Sequence, residues 1–305
     1  MADLDLCYLS IAEASRRIAS GELSPVALTQ AVLQRIDETD AAVHSFVRLM
    51  RESALEAAAA SERRARDGAR LGPLDGIPIG VKDLIDTAGV VTTGGTGAYR
   101  QRVPQHDATC IRLLKAAGAI IIGKTNTHEL ALGGTTTNAH YGATHNPWSL
   151  DRVPGGSSGG SASALAAGQC LGALGTDTAG SIRLPAAFCG VTGHKPTYGL
   201  VSRAGVLALS ATLDHTGPMT RSAEDAALLL GVLAGYDAAD LDSMDRPSED
   251  YAASLRKIAV MQDDLVYPDI SVAARNAWVA HSAKVATAKP DATLSRTFLA
   301  SVALK

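Results

Sequence analysis

The sequence predicts an α/β fold built on a mixed, largely parallel sheet covered by helices, and three observations predict it. Short apolar runs at Ile77–Val81, Ala119–Ile122 and Cys170–Leu174 have the length and the even hydrophobicity of strands buried on both faces. Segments with helical periodicity, each with its own start and stop residues, separate them. Only 4% of residues are aromatic while 29 are Gly, so the core must pack through small and aliphatic side chains with close backbone approaches. At 305 residues, 46% hydrophobic and 19% charged, the chain can bury a large core, which excludes a disordered protein.

The elements follow in order. Ser10-Ile11-Ala12-Glu13 reads as a capping box opening a helix that Gly21 stops. Ser24-Pro25 then supplies a cap and a pre-set φ, and Leu28, Val32, Leu33 and Ile36 form one apolar stripe. Arg51–Arg66 is a third, Ala-rich helix with a solvated charged face. Residues 1–70 thus form a helical N-terminal layer. From Leu71 the texture changes to short apolar runs and Gly-rich turns, and residues 71–262 read as the α/β core. A helix over Ala108–Ala117, capped by Asp107 and closed by Gly118, leads straight into the strand Ala119–Ile122. Small residues at Ala162–Ala167 suggest another helix. A further one at Ala223–Ala234, started by Ser222 and Asp225, precedes a candidate strand at Ile258–Met261. Residues 263–305 are an atypical tail, expected to be poorly ordered, with one helix over Ser271–Thr287. No clear strand follows to finish a sheet.

Composition removes several functions. Lys and Arg total 28 against 31 acidic residues, a net charge of −3 with no dense basic run, so no direct nucleic-acid partner is expected. Met1–Ser10 lacks the apolar stretch of a signal peptide, and no apolar run is long enough to span a bilayer. The expectation is a cytoplasmic protein without a membrane partner. Cys7, Cys110, Cys170 and Cys189 lack the paired spacing of zinc or redox motifs, and His128-Glu129 lacks the second His of a zincin helix. No metal is expected. His128, Glu129, His194 and His215 are read as pocket or core residues without roles.

Two Gly/Ser segments carry the chemistry. Gly155-Gly156-Ser157-Ser158-Gly159-Gly160-Ser161 has three readings. A flexible linker does not suit its place between apolar segments, and a phosphate loop lacks the following Lys-Ser or Lys-Thr. The third, a hydrolase elbow, fits Gly155, Ser157 and Gly159, although Val153-Pro154 replaces the expected branched strand. That reading makes Ser157 the nucleophile with a His base. The second segment, Gly175 to Pro185, places Ser181 after Ala179 and Gly180. Such small residues let a substrate oxygen approach backbone N–H groups, so one loop can supply both nucleophile and oxyanion hole.

With both segments in view, the chain resembles the amidase signature family. The likeness lies in Gly-Gly-Ser-Ser-Gly-Gly at 155–160 and in Gly-Thr-Asp-Thr-Ala-Gly-Ser-Ile-Arg-Leu-Pro at 175–185. It extends to Asp75-Gly76-Ile77-Pro78-Ile79-Gly80-Val81-Lys82-Asp83, Gly123-Lys124-Thr125-Asn126, Gly193-His194-Lys195-Pro196-Thr197 and Leu213-Asp214-His215-Thr216-Gly217-Pro218, covering roughly Leu9 to Tyr251. The resemblance implies that Ser181 attacks an amide carbonyl, that Ser157, on a cis peptide bond, passes the proton, and that Lys82 receives it. It implies the backbone N–H groups of Thr178, Ala179, Gly180 and Ser181 as oxyanion donors. Asp177 and Arg183 are then an ion pair bracing the loop, with Ser158 a further hydrogen-bonding partner. The implied substrate is a small-molecule amide, and no cofactor is needed.

Elementary chemistry constrains this scheme. A serine hydroxyl needs a base, and a free lysine of pKa about 10.4 is neutral in only about one molecule in a thousand near pH 7.4. Lys82 must therefore be desolvated, and its place at the end of an apolar strand offers that. Asp83 would oppose the shift unless it faced the other way, as alternate strand residues do.

Three functional readings follow from the resemblance: a stand-alone amidase, the glutaminase component of an amidotransferase (its A subunit), which releases ammonia from glutamine and needs partner subunits, and a catalytically incomplete, truncated relative. Family members are longer, and the part of the family's fold beyond Tyr251 would complete the sheet and line the acyl pocket. Exposed sheet edges would then favour association, including a homo-oligomer.

Overall fold

Residues 1–254 are described in a computed structural model of the chain. The candidate strand Ile258–Met261, the helix Ser271–Thr287 and the tail 263–305 lie outside them.

The N-terminal helices are α1 (Leu4–Cys7), α2 (Ile11–Ala19), α3 (Pro25–Val43) and, after strand β1 (Phe46–Leu49), α4 (Arg51–Arg66). Ser10 Oγ accepts from Glu13 N–H at 3.0 Å, so half of the capping box forms. The reciprocal half does not, because the Glu13 carboxylate is drawn to Arg16 and Arg17 one turn on. Ser24 Oγ accepts from Ala27 N–H at 3.1 Å, with Pro25 opening α3. Leu28, Val32, Leu33 and Ile36 are buried together with Ile77, Ile79 and Ile120, so the helical layer and the sheet share one core.

Then follow β2 (Pro78–Lys82), α5 (Thr109–Ala116), β3 (Ile120–Thr125), the small hairpin β4 (Thr137–Asn138) and β5 (Gly142–Ala143), α6 (Gly159–Ala166), β6 (Gly172–Asp177), α7 (Arg183–Cys189), β7 (Thr192–Gly193), β8 (His215–Thr220) and α8 (Ala223–Leu233). Among the described residues six strands form the main sheet in the order β1-β3-β2-β6-β8-β7. Its centre, β3-β2-β6, is parallel, while β1, β8 and β7 join antiparallel. The parallel centre is the part that reads as apolar runs. The antiparallel strands contain polar, Gly and Pro residues and carry no such signal.

The start of α5 corrects one expectation. Asp107 does not cap it: its carboxylate accepts from Ala88 N–H at 2.8 Å and pairs with Lys115, and Ala108 occupies the cap position without a side-chain bond. The carboxylate thereby ties α5 to the loop that follows β2.

α6, of sequence GGSASALA, is buried along its whole length against the sheet. This is the use of the small residues: a Cβ on Gly160 would stand 2.5 Å from the backbone N and O of Asn126 and 2.6 Å from Ser45 O. Backbone cannot yield as a side chain can. Gly160→Ala should therefore destabilise the fold by about 3 kcal/mol, at the upper end of overpacking, and lower its urea midpoint. An unchanged midpoint would show that α6 can lift off β3. The four cysteines are free and buried, and no helix among the described residues is long and apolar enough to cross a membrane.

Candidate active site

β2 delivers Lys82 to the sheet's interior. Just upstream, Asp75 accepts from Arg64 Nε at 2.9 Å and Leu71 N–H at 3.0 Å, which anchors the strand's entry to α4. Gly118 takes φ +80° against that carboxylate, where a Cβ would meet Asp75 Oδ1 at 2.4 Å.

Lys82 is fully buried, and its Nζ donates to Ser157 Oγ at 2.7 Å and Thr176 Oγ1 at 2.8 Å. Burial lowers its pKa from 10.5 to about 7, against the opposing pull of the Asp177 and Asp214 carboxylates. Asp83 is turned elsewhere, accepting from Thr93 N–H at 3.1 Å and from the Thr93 hydroxyl. The amine is thus held within hydrogen-bond distance of a serine and is neutral to a useful extent near pH 7.

Ser157 follows a cis peptide bond from Gly156. Its carbonyl is held by Thr127 Oγ1 at 3.1 Å, by His128 N–H at 3.1 Å and, more loosely, by Thr136 Oγ1 at 3.4 Å. The Thr136 hydroxyl also donates to Gly155 O at 2.8 Å and accepts from Gly159 N–H at 3.1 Å. The hydrolase-elbow alternative requires a His base at Ser157. The group bonded to the Ser157 hydroxyl is instead Lys82.

The second segment leaves β6 at Asp177. The Asp177 carboxylate is a hub: it accepts from Gly180 N–H at 2.8 Å, Ile182 N–H at 3.1 Å and Arg183 N–H at 3.3 Å, and from Arg183 Nε and Nη2, both at 3.0 Å. Burial pushes this carboxyl up, but the Arg183 guanidinium and the N–H donors outweigh it and hold it below the usual carboxylate range. Ser158 stitches the two segments together, its Oγ donating to Thr176 O at 3.1 Å and its N–H to Ser181 O at 3.2 Å.

One of the four expected oxyanion donors has a partner within the loop itself. Gly180 N–H is already committed to Asp177, because the buried carboxylate draws the nearest main-chain donors to itself. The N–H groups of Thr178, Ala179 and Ser181 have no partner among the described residues and remain open to a ligand. The half-buried Ser181 side chain likewise has no hydrogen-bond partner among them, so the Ser181–Ser157 link is not made in this conformation.

Several residues at the site have roles that the sequence motifs do not assign, although Thr176, Asp214 and Lys124 lie within the matching segments. Thr176 is the second partner of Lys82, and Thr127 and Thr136 clamp Ser157. Asp214 accepts from Thr178 Oγ1 at 2.5 Å and from Leu209 and Ser210 N–H at 2.8 and 3.0 Å, fixing the far side of the nucleophile loop. A second buried lysine, Lys124, bonds Ile85 O and the hydroxyls of Thr87 and Thr92 instead of a serine, and burial lowers its pKa to about 8. Among the described residues no cluster of His, Cys, Asp and Glu is suited to hold a metal ion.

Replacing Asp177 by Asn should cost about 2 kcal/mol, the scale of hydrogen bonds to a buried charged acceptor. Thermal unfolding would report it, and a variant as stable as the parent would show that the hub does not hold the loop.

The model of the amidase family matches residues 27–286, running past Tyr251, the end of the range over which the motifs alone carry the likeness. The A subunit of the glutamyl-tRNA(Gln) amidotransferase from Chloroflexus aggregans is 51% identical over 251 residues, which are 82% of this chain and 51% of that protein. Among solved structures, the peptide amidase of Stenotrophomonas maltophilia superposes with a TM-score of 0.77 at 42% identity, covering 81% of this chain and 52% of that one. The corresponding amidotransferase component from Thermotoga maritima gives 0.69 at 38% identity, over 81% and 51%. The chain spans about half the length of the relatives it matches. With the family model covering most of its length and relatives this similar, the chain belongs to the amidase signature family.

Proposed function

We propose that the protein hydrolyses a carboxamide to a carboxylate and ammonia or an amine through a serine acyl-enzyme. The observation that carries this reading is a fully buried lysine amine 2.7 Å from Ser157 Oγ, beside a loop that presents Ser181 and three N–H groups without partners among the described residues. Neutral Lys82 accepts the Ser157 proton, and Ser157 takes the proton of Ser181. The Ser181 oxygen then attacks the carbonyl carbon, whose oxygen becomes an oxyanion held by Thr178, Ala179 and Ser181 N–H. The proton returns through Ser157 to the departing nitrogen, and water repeats the sequence to free the carboxylate. Every group used belongs to the chain, and no cofactor takes part.

A panel of small carboxamides assayed for ammonia, with and without hydroxylamine, tests this. An acyl-enzyme should divert product to the hydroxamate. Ammonia release with no hydroxamate at saturating hydroxylamine would overturn the covalent step.

The identity to the amidotransferase relatives favours a second reading, in which the ammonia comes from glutamine and passes to partner subunits. Stable copurification with such subunits, and glutamine turnover only in their presence, would replace the stand-alone reading.

A further inference from the structure

The neutral amine of Lys82 has a single lone pair and two hydroxyl neighbours, Ser157 and Thr176. Whichever hydroxyl donates to the amine takes that lone pair. The proposed proton transfer works only if Ser157 is the donor, so Thr176 must act towards Lys82 as an acceptor. The Thr176 proton then needs an acceptor of its own, and its Oγ1 donates to none among the described residues.

Directly across the antiparallel β6–β8 pair, Thr216 is the register partner of Thr176. Opposed residues share one face of the sheet with Cβ atoms about 5 Å apart, the spacing at which Thr pairs bond across strands. Thr216 is 1% exposed, and its hydroxyl is buried without a partner among the described residues. A buried hydroxyl left unsatisfied carries a cost that native structures seldom accept without reason. Both threonines border the same cavity of about 290 Å³.

We propose that Thr216 is a positioning residue for the general base: by accepting the Thr176 proton it keeps Thr176 an acceptor and leaves the Lys82 lone pair to Ser157. No bond is made or broken in this role. It rests on the acyl-enzyme reading, and nothing in the motifs around Lys82, Ser157 or Ser181 points to it.

In Thr216→Val the Thr176 proton is released to compete for the amine. A hydrogen bond to the neutral form favours that form, so the base titrates at lower pH while fewer molecules present a lone pair to Ser157. A merely loosened, wetter site would move the titration the other way, because solvation favours the ammonium.

The test measures labelling of Ser181 in the full chain by an ethyl fluorophosphonate, resolving the maximal rate from the half-saturating concentration between pH 5 and pH 9. Thr216→Val should lower the maximal rate about tenfold, the scale of one competing hydrogen bond, leave half-saturation unchanged and move the midpoint to lower pH. Thr216→Ser should restore the parent behaviour. Thr176→Val, which removes the competing hydroxyl, should make a further Thr216→Val silent. An unchanged rate in Thr216→Val, a midpoint moved to higher pH, a Ser variant as impaired as Val, or additive losses in the double variant would each overturn the proposal. Absence of labelling in the parent chain would instead sink the acyl-enzyme reading. In that case the Lys82 pKa, followed by NMR of its Nζ, decides the role of Thr216: it should drop in Thr216→Val, and an unchanged value would overturn the role.

Discussion

Ser181→Ala is expected to abolish amide hydrolysis, with a loss of about 10⁴-fold or more in kcat, while the protein unfolds within about 0.5 kcal/mol of the parent. The two halves of this result have separate causes. Chemistry is lost because the Ser181 hydroxyl is the only side-chain group in the scheme that bonds to the carbonyl carbon. Stability is kept because that hydroxyl has no hydrogen-bond partner among the described residues, so its removal orphans nothing. Asp177 continues to hold the loop through Gly180, Ile182 and Arg183. Ammonia release and thermal unfolding on one preparation check both halves, and a variant that hydrolyses amides at the parent rate would show that Ser181 is not the nucleophile.

Lys82→Met should lower kcat/KM by about 10³-fold, within the range for loss of a general base. The pH dependence separates a base from a structural lysine. Lys82 accepts a proton only when neutral, and it is neutral above its pKa, so kcat/KM of the parent should rise with pH through a midpoint of about 7 and level off above it. In Lys82→Met that limb should vanish from the residual activity. Lys124 is the control, being equally buried on the neighbouring strand but bonded to Ile85, Thr87 and Thr92. Lys124→Met should lose stability and keep the midpoint at about 7. Were Lys124→Met to remove the limb and Lys82→Met to keep it, the two lysines would have to exchange roles.

The parallel centre of the sheet was legible because its strands, buried on both faces, begin as apolar runs before their polar ends, as β2, β3 and β6 do. β8 was not: Gly217 and Pro218 look like a turn, and only pairing with β6 makes the segment a strand. At the site, Lys82, Ser157 and Ser181 were named by motif, and Lys82 and Ser157 stand side by side. Thr176 and Asp214 lie within the matching segments, but their roles are not legible there because each acts through a partner distant in sequence, Lys82 at 94 residues and Thr178 at 36. The commitment of Gly180 N–H to Asp177 was equally hidden, since small residues show that a donor can be approached but not which acceptor already holds it. The failed cap at Asp107 has the same origin, a local pattern outbid by Ala88 and Lys115.

The central claim is that Ser181 is the activated nucleophile, with Ser157 and Lys82 behind it. Treating the purified chain with a fluorophosphonate and locating the label by peptide mapping tests it most directly. The account predicts a single label on Ser181 that is lost in Lys82→Met. Labelling of Ser157, or a soluble folded chain that takes no label, would contradict it.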